Sequence, residues 1–191
     1  MTRIIAGAAG GRRLLTPSGS GTRPTSDRVR EALFGRLEHL DALAGSHVLD
    51  LYAGSGALGL EAVSRGAVSA LLVESDRKAA ATIGKNITHL GLAGVQVRAA
   101  TVEAVVGAPL VPSADLVFAD PPYSVGEDAL AGVLAALVEQ GSLAVDAVLV
   151  VERSSRSPEP VWPAGVELIG PRRYGETTCW FAEFVPEGDL A

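Results

Sequence analysis

The sequence has one cysteine and no apolar run near the roughly 18 residues that a membrane-spanning helix needs. A single cysteine excludes an internal disulfide, and no secretory leader is recognisable at the start, so we expect a cytoplasmic protein. Cys179 itself falls in an apolar stretch and is expected to be a small core residue. The histidines are few and lack the spacing of metal ligands, so we expect no metal site.

The length and composition fit one α/β domain. With 191 residues, 48% hydrophobic and 20% charged, the chain is long enough for one full core and short for two. The hydrophobic content argues against a disordered chain. We expect residues 1–24 to form a basic hairpin and linker, and residues 25–191 to form the main domain.

Charge is unevenly distributed along the chain, whose net charge is −6. Residues 1–36 contain seven arginines and only two acidic residues, a local charge of +5, whereas residues 37–191 carry −11. A polyanion responds to charges within a Debye length, about 8–10 Å at working salt concentrations. The amino-terminal part can therefore bind nucleic acid although the whole chain is acidic.

Local signals divide this basic region into three parts. Short apolar and basic stretches around glycines predict a loose β-hairpin over residues 1–16. The Gly-, Ser- and Pro-rich stretch 17–24 predicts a linker. A helix is predicted to begin near Thr25 or Ser26, either of which can cap it, with Asp27 at its positive end. The apolar positions of this helix form one stripe, at Val29, Leu33, Leu37 and Leu40.

From residue 47 onward, strand and helix signals alternate. Strands are predicted at 47–52, 70–74, 95–98, 115–119, 147–152, 166–169 and 178–185, and helices at 57–65, 76–90, 102–107 and 127–140. This alternation predicts a Rossmann-like α/β fold, a mainly parallel sheet of seven strands with helices on both faces. The last two strands have no helix between them, so the last strand should run antiparallel at or near one edge.

A glycine-rich loop follows the first predicted strand. Gly54, Gly56 and Gly59 match the G-x-G-x-x-G pattern of dinucleotide sites, and Glu74 lies at the end of the second strand, where a ribose ligand would be. Asp50 disfavours a dinucleotide because a carboxylate at the mouth of the loop would repel a pyrophosphate. A ligand with a cationic ammonium and sulfonium, and no phosphate, fits the loop better.

The tetrapeptide Asp-Pro-Pro-Tyr, residues 120–123, follows the fourth predicted strand, at the edge where open α/β sheets bind ligands. Pro121 and Pro122 restrict the backbone to a rigid loop. The Asp120 carboxylate and the Pro121 carbonyl can accept both N–H groups of an exocyclic amine, orienting a poorly nucleophilic nitrogen and stabilising the charge that develops on it. Tyr123 can stack on the base, which must be unpaired or extruded. All four residues are therefore predicted to be catalytic.

Both loops resemble known motifs. The D-x-x-x-G-x-G loop resembles motif I of the class I S-adenosylmethionine-dependent methyltransferases, and D-P-P-Y resembles motif IV of enzymes that methylate adenine N6, cytosine N4, guanine N2 or glutamine. The resemblance implies S-adenosylmethionine as the cofactor, with Glu74 on its ribose hydroxyls and Thr101 or nearby backbone on its adenine. The residues implied in cofactor binding are Asp50, Tyr52, Gly54, Gly56, Glu74 and Thr101.

The amino-terminal third carries a longer resemblance. Segments 3–7, 11–14 and 22–34, the last containing R-P-T-S-D-R-V-R-E, are similar to the opening of the RsmD family. Members of that family methylate N2 of one guanosine in bacterial small-subunit (16S) ribosomal RNA. The resemblance implies the same activity and the same RNA partner, free or in a 30S particle, for a protein expected to be a monomer. The arginines implied in RNA binding are Arg3, Arg12, Arg13, Arg23, Arg28 and Arg30.

Other functions fit parts of this pattern. Because motif IV is shared, the target could be adenine N6 in DNA or RNA. A non-catalytic RNA-binding module is a further alternative, although such a module would be expected to carry a damaged motif IV. Arg172 and Arg173 could contact RNA or only close the last hairpin, and the sequence favours neither.

Overall fold

The computed structural model describes residues 2–16 and 27–186. Within this part of the chain there are five helices and seven strands, and no helix is long and apolar enough to cross a membrane. The helices are α1 (Asp27–His39), α2 (Ala57–Ser64), α3 (Arg77–Leu90), α4 (Val102–Val106) and α5 (Glu127–Glu139). The strands are β1 (His47–Leu51), β2 (Ser69–Glu74), β3 (Val95–Ala99), β4 (Ala114–Ala119), β5 (Leu143–Ser154), β6 (Val166–Tyr174) and β7 (Thr177–Phe184). Residues 17–26, which include the predicted linker, Arg23 and both predicted helix caps, lie outside the described residues.

The described strands form one mixed sheet in the order β3-β2-β1-β4-β5-β7-β6. Neighbours among β1 to β5 pair in parallel, whereas β7 pairs antiparallel with both β5 and β6. A short turn joins β6 to β7, and a connection of that length can only join antiparallel neighbours. The predicted Rossmann-like fold, including the antiparallel last strand near an edge, is confirmed.

Two strands are longer than predicted. β5 begins at Leu143 instead of residue 147, because it already pairs there with the start of β4. β6 runs to Tyr174 instead of residue 169, because its pairing with β7 continues past an irregularity at Gly170, where φ is 143°. Both extensions depend on a neighbouring strand and leave no local pattern in the sequence.

Helices cover both faces of the sheet, as predicted. Side chains along a strand alternate between faces. In β4, Phe118 belongs to the core beneath α1, α2 and α3, whereas Val117 belongs to the core beneath α4 and α5. Phe34 of α1 packs on Phe118 with the ring centroids 5.8 Å apart, which fixes α1 over the centre of the sheet.

The buried face of α1 differs from the predicted stripe. Leu33 and Leu37 are buried as expected, but Val29 is only half-buried, and Arg30 and Phe34 complete the buried face. These four buried residues follow the i, i+3, i+4, i+7 spacing of one helical face. An arginine on this face is not predictable from apolar periodicity, because its burial depends on acidic partners elsewhere in the fold.

The predicted amino-terminal hairpin is present in a short form. Arg3 and Arg13 make an antiparallel bridge, and the Ile4 N–H donates to the Arg12 carbonyl oxygen at 2.9 Å. Ile4 and Leu14 are buried in the core that also contains residues of α2 and α3. The hairpin is therefore packed against the main body of the protein.

The turn of the hairpin is fastened to the end of α2. Gly7, with φ 79°, approaches so closely that a Cβ there would lie 1.8 Å from the Ser64 carbonyl oxygen. The Ala8 N–H donates to that oxygen at 2.8 Å, and the Ala9 N–H donates to Ser64 Oγ at 2.9 Å. Glycine is required at position 7 for this contact.

Candidate active site

Three acidic side chains stand at the carboxyl edge of the sheet. Asp50 lies near the end of β1, Glu74 ends β2, and Asp120 follows β4. These strands are neighbours in the order β2-β1-β4, and the strand order reverses between β1 and β4. Such a switch point is where open α/β sheets bind ligands. The fold therefore brings the predicted cofactor loop and the predicted catalytic loop to one edge.

The loop after β1 is shaped by residues with positive φ. Tyr52, Gly54 and Gly56 have φ of 61°, 57° and 78°. A Cβ on Gly56 would lie 2.8 Å from Leu72 Cδ2, so a glycine lets the loop pack closely on β2. A Cβ on Gly54 would meet only the Tyr52 carbonyl oxygen, at 4.0 Å. Gly54 thus borders open space, where a ligand can approach the backbone.

Asp50 is buried beneath this loop, with 2% of its surface exposed. Its Oδ2 accepts the Gly59 N–H at 2.9 Å, which ties the carboxylate to the first turn of α2. Burial raises the pKa of Asp50 to about 7, an effect that the Gly59 hydrogen bond opposes and the charges of Asp120 and Glu74 increase. A cation in the loop would favour the ionised carboxylate, so Asp50 suits a positively charged ligand.

Glu74 closes the other side of the loop. Its Oε2 accepts the Gly54 N–H at 2.9 Å, and its Oε1 accepts the Asp76 N–H at 2.8 Å. Each carboxylate oxygen can accept a further hydrogen bond. The carboxylate is thereby fixed in place and still able to bind a pair of hydroxyl groups, as the predicted ribose contact requires.

The Asp-Pro-Pro-Tyr loop leaves the sheet at the end of β4. Pro121 is buried and anchors the loop, and the Val125 N–H donates to the Pro122 carbonyl oxygen at 2.9 Å, which closes a turn. Tyr123 projects from this turn with 88% of its surface exposed. Its ring is therefore available to stack on a planar ligand.

Asp120 keeps an exposed surface at the cleft, but the surrounding protein displaces enough water from its carboxyl group to raise its pKa to about 6. The charge of Arg153 opposes this rise. The Arg153 guanidinium donates hydrogen bonds to the Val125 carbonyl oxygen, at 3.2 Å, and to the Glu127 carboxylate. At neutral pH most of Asp120 is therefore ionised and able to accept hydrogen bonds.

The other two predicted cofactor residues contribute to the local structure. Thr101 caps α4, where its Oγ1 accepts the Ala104 N–H at 3.3 Å. It follows Ala100, whose N–H donates to the Glu74 carbonyl oxygen at 3.1 Å, so it lies beside the end of β2. The Tyr52 ring packs against the core beneath α4 and α5. Contacts of these two residues with a cofactor stay predictions.

The prediction that Arg30 contacts RNA is wrong. Its side chain is 1% exposed, and its Nη2 donates to the Arg3 carbonyl oxygen at 2.7 Å and to Asp27 Oδ1 at 2.9 Å. Its Nη1 lies 4.0 Å from Oε2 of Glu61, whose side chain is fully buried. Arg30 therefore joins the hairpin, α1 and α2 from inside. The one sequence signal for this network is Glu61, the only charged residue of α2.

The other described arginines of the predicted RNA-binding set lie at the surface. Arg13 and Arg28 are exposed. Arg3 is 58% exposed and pairs with Asp27 at 2.9 Å. Arg12 is exposed too, but its guanidinium donates to two carbonyl oxygens at the end of α3, which gives it a structural role. The basic surface of the hairpin and α1 is thus smaller than the sequence predicts.

Arg172 and Arg173 lie on β6, the edge strand of the sheet, and both are exposed. They pair with β7 within the ladder, whereas the turn itself falls at Gly175, with φ 63°. The two arginines are therefore not in the turn, and of the two alternatives that the sequence leaves open, contact with RNA is untested. Among the described residues, no group of His, Cys, Asp and Glu could hold a metal ion.

The strand order, with an antiparallel β7 between β5 and β6, is that of the class I S-adenosylmethionine-dependent methyltransferases, and the loops at the switch point agree with this class. Residues 2–183 match the family described as Conserved hypothetical protein 95. The chain belongs to this family, the RsmD family.

Individual relatives match over most of the chain. It is 38% identical to ribosomal RNA small subunit methyltransferase D of Escherichia coli (strain K12) over 166 residues, 87% of this chain and 81% of the relative. It is 35% identical to the Haemophilus influenzae protein of the same name over 161 residues, 82% of this chain and 80% of the relative. The solved structure of the Escherichia coli protein yhhF has a TM-score of 0.85 at 32% identity, covering 97% of this chain and 98% of that one.

Proposed function

We propose that this protein transfers the methyl group of S-adenosylmethionine to the exocyclic N2 amino group of one guanosine in small-subunit (16S) ribosomal RNA. The observation that carries the proposal is the Asp-Pro-Pro-Tyr loop at the switch point, beside the glycine loop, in a member of the RsmD family. Relatives named as small-subunit ribosomal RNA methyltransferases support the class of substrate. We propose further that residues 25–191 are the catalytic domain, that residues 1–24 are an RNA-binding extension, and that the protein acts as a monomer.

The glycine loop and its acidic neighbours have the chemistry to hold S-adenosylmethionine. The cationic ammonium and sulfonium suit the Asp50 carboxylate, and the ribose diol suits the two oxygens of Glu74. The open space beside Gly54 permits close backbone contact. Tyr52 would shape the loop around the cofactor, and Thr101, beside the end of β2, would contact its adenine. When bound, the cofactor supplies an electrophilic methyl group, and its sulfur keeps the electron pair of the broken carbon–sulfur bond.

Asp120 and Pro121 hold the target nitrogen. Its lone pair is delocalised into the base, so it is a weak nucleophile. The Asp120 carboxylate and the Pro121 carbonyl oxygen accept its two N–H groups, orient the lone pair and stabilise the positive charge that develops as the carbon–nitrogen bond forms. One N–H proton then leaves to Asp120 or to water. Tyr123 stacks on the base, which must be unpaired or extruded from its helix.

Methyl transfer to ribosomal particles tests this function directly. Small subunits from a strain that lacks the enzyme, and the RNA extracted from them, are incubated with labelled S-adenosylmethionine and digested to nucleosides. We expect label in N2-methylguanosine, and the comparison of the two substrates shows whether the RNA is recognised free or in the 30S particle. Label in N6-methyladenosine would instead establish the adenine-N6 alternative, and no transfer to either substrate would favour a non-catalytic RNA-binding module.

Cofactor affinity should depend on pH through Asp50. Burial raises the pKa of this carboxyl group to about 7, so below pH 7 most of Asp50 is protonated in the free protein. A cationic ligand binds the ionised carboxylate, so Asp50 must lose this proton when the ligand binds. The dissociation constant of S-adenosylmethionine should therefore increase as the pH falls from 7.5 to 5.5, approaching about tenfold per unit well below the pKa. Calorimetric titration of the wild type and of Asp50→Asn checks this. The variant should bind weakly with a flat profile, and a flat wild-type profile would contradict the assignment.

Exposed arginines of the hairpin and α1 should control the salt dependence of RNA binding. Replacing both Arg13 and Arg28 with glutamine is expected to weaken binding and to reduce the slope of log affinity against log salt by about 0.7–0.9 for each phosphate that is no longer neutralised. Filter binding over a range of salt concentrations measures the slope. Arg98→Gln, an exposed position on β3, is the matched control and should leave the slope unchanged. An unchanged slope in the double variant would mean that Arg13 and Arg28 face solvent and neutralise no phosphate of the RNA.

A further inference from the structure

Charge is sorted between the two faces of the sheet. The helices α4 and α5 cover one face and contain no lysine or arginine, and their acidic residues are Glu103, Glu127, Asp128 and Glu139. The helix α3 lies on the other face and contains no acidic residue, and its basic residues are Arg77, Lys78 and Lys85. A polyanion is therefore attracted to the face of α3 and repelled from the face of α4 and α5.

The helix α1 lies on the same face as α3, and it contains equal numbers of acidic residues and of lysines and arginines. Its acidic side chains are held in ion pairs at 2.8–2.9 Å: Asp27 with Arg3 and Arg30, and Glu31 and Glu38 with Arg65. The charges within these pairs largely cancel. The electrostatic field of this face is therefore set by the basic residues that have no acidic partner.

The basic residues of α3 are of this kind, and all three are exposed. Lys78 and Lys85 are two helical turns apart, about 10 Å along the axis, so they lie on one side of the helix. Within residues 2–16 and 27–186, neither lysine takes part in an ion pair. The neighbouring acid, Asp76, caps the helix by accepting the N–H groups of Lys78 and Ala79 at 2.8 Å. Both ammonium groups are therefore available to bind phosphates.

The end of α3 is joined to the amino-terminal hairpin. The Arg12 guanidinium donates to two carbonyl oxygens in the last turn of α3, to one of them at 2.7 Å. Asn86 of α3 is fully buried, accepts the Leu15 N–H at 2.8 Å and donates to the Leu15 carbonyl oxygen at 3.0 Å. These bonds hold the hairpin, with its exposed Arg13, against α3, so the two elements present one surface.

The start of α3 lies at the candidate cofactor site. The N–H of Asp76, the cap of the helix, donates to Oε1 of Glu74 at 2.8 Å. A helix of 14 residues is about 21 Å long. The basic side of α3 therefore extends from the hairpin to the edge of the sheet at which the methyl donor would bind.

We propose that α3 is a second RNA-binding surface, continuous with the hairpin, on which Arg77, Lys78 and Lys85 bind the phosphate backbone of the ribosomal RNA. This inference rests on the proposed function and names a surface that holds its substrate. RNA responds to charges within a Debye length, about 8–10 Å, so the acidic helices on the opposite face do not prevent binding. They orient the protein, because only one face attracts the RNA. This arrangement explains how a chain with a net charge of −6 binds a polyanion.

The salt dependence of binding tests the surface, with RNA extracted from small subunits of a strain that lacks the enzyme. Lys78→Gln combined with Lys85→Gln should weaken binding at least about fivefold at about 0.1 M salt and lower the slope of log affinity against log salt by about 1.4–1.8. Lys85→Gln alone should lower the slope by about 0.7–0.9. Arg98→Gln is the matched control on the opposite face, because Arg98 is exposed and in register with Val73 of the core beneath α4 and α5. It should leave the slope unchanged.

Site-directed crosslinking locates the RNA without changing the charge of α3 by more than one residue. Cys179 is the single cysteine of the chain and is fully buried, as the sequence predicts, so a new surface cysteine can be labelled selectively. A short photo-crosslinker attached to Lys85→Cys should react with the RNA. The same reagent on Glu139→Cys, an exposed position of α5, should give no crosslink above the background of the unlabelled protein.

Controls separate RNA binding from folding and from catalysis. The glutamine variants should unfold at the same urea concentration as the wild type and bind S-adenosylmethionine within about twofold of it. With saturating RNA they should transfer the methyl group at the wild-type rate, because α3 acts in binding alone.

Three results would overturn the inference: an unchanged slope in the double lysine variant, equal changes in slope for Lys85→Gln and Arg98→Gln, or crosslinking from position 139 as strong as from position 85. The labelled-nucleoside assay tests the proposed function separately. If the wild type made no N2-methylguanosine, the proposed activity would fail, whereas the slopes and crosslinks would still show which face binds RNA.

Discussion

Replacing Asp120 with alanine is expected to lower the single-turnover rate of methyl transfer by about 10³-fold or more while leaving the cofactor dissociation constant within about tenfold of the wild type. The carboxylate acts on the nucleophilic nitrogen, which gains positive charge only as the new bond forms. Its loss therefore raises the barrier to transfer and has little effect on the separate cofactor loop. Rapid-quench assays with excess enzyme, together with calorimetric titration of S-adenosylmethionine, measure both quantities.

Two further variants sharpen this prediction. Asp120→Asn keeps one side-chain acceptor without the charge and should lose less activity, about 10- to 100-fold. Asp128→Ala removes an exposed carboxylate in the first turn of α5, outside the catalytic loop, and should behave like the wild type. If Asp120→Ala bound S-adenosylmethionine much more weakly but, once saturated with it, transferred the methyl group at the wild-type rate, Asp120 would belong to the cofactor site. That result would refute its proposed role.

The order of helices and strands follows from local sequence because each buried parallel strand is a short apolar run between helical segments. The ends of the strands do not follow in the same way. β5 starts at Leu143 because β4 lies beside it, and the place of β7 between β5 and β6 is a property of the whole sheet. Local patterns therefore predict the elements and their order, whereas pairing between remote segments sets their limits.

The candidate site is predictable where its chemistry lies in contiguous residues. The glycine loop after Asp50 and the loop 120–123 are each one short segment, so their residue types can be interpreted together. Arg30 is misassigned because its surroundings are set by Glu61 on another helix.

Replacing Glu61 with alanine is expected to destabilise the protein by about 3–5 kcal/mol, because it removes one member of a buried ionic network. The fully buried Glu61 carboxylate accepts the N–H groups of Ile5 and Ala6 at 2.7 and 3.0 Å and that of Arg65 Nε at 2.7 Å. Arg30 Nη1 lies 4.0 Å away. Without Glu61, two partly buried backbone N–H groups lose their acceptor, and two nearly buried guanidinium groups lose a counter-charge. Urea unfolding monitored by circular dichroism measures the difference in the free energy of unfolding.

Glu38→Ala is the matched control, since Glu38 pairs with the same Arg65 at 2.8 Å but its side chain is 55% exposed. Its loss should cost less than about 1 kcal/mol, because water solvates an exposed ion pair. Glu61→Ala should in addition weaken RNA binding, because Ile5 and Ala6 are held to α2 by this carboxylate and the hairpin carries Arg3 and Arg13. A cost for Glu61→Ala no greater than that for Glu38→Ala would show that the hairpin is held by its apolar contacts and its hydrogen bonds to Ser64, without a contribution from the Glu61 network. Together, the free energies of unfolding and the RNA affinities of the two variants would distinguish the effect of anchoring the hairpin from the effect of the charges on its surface.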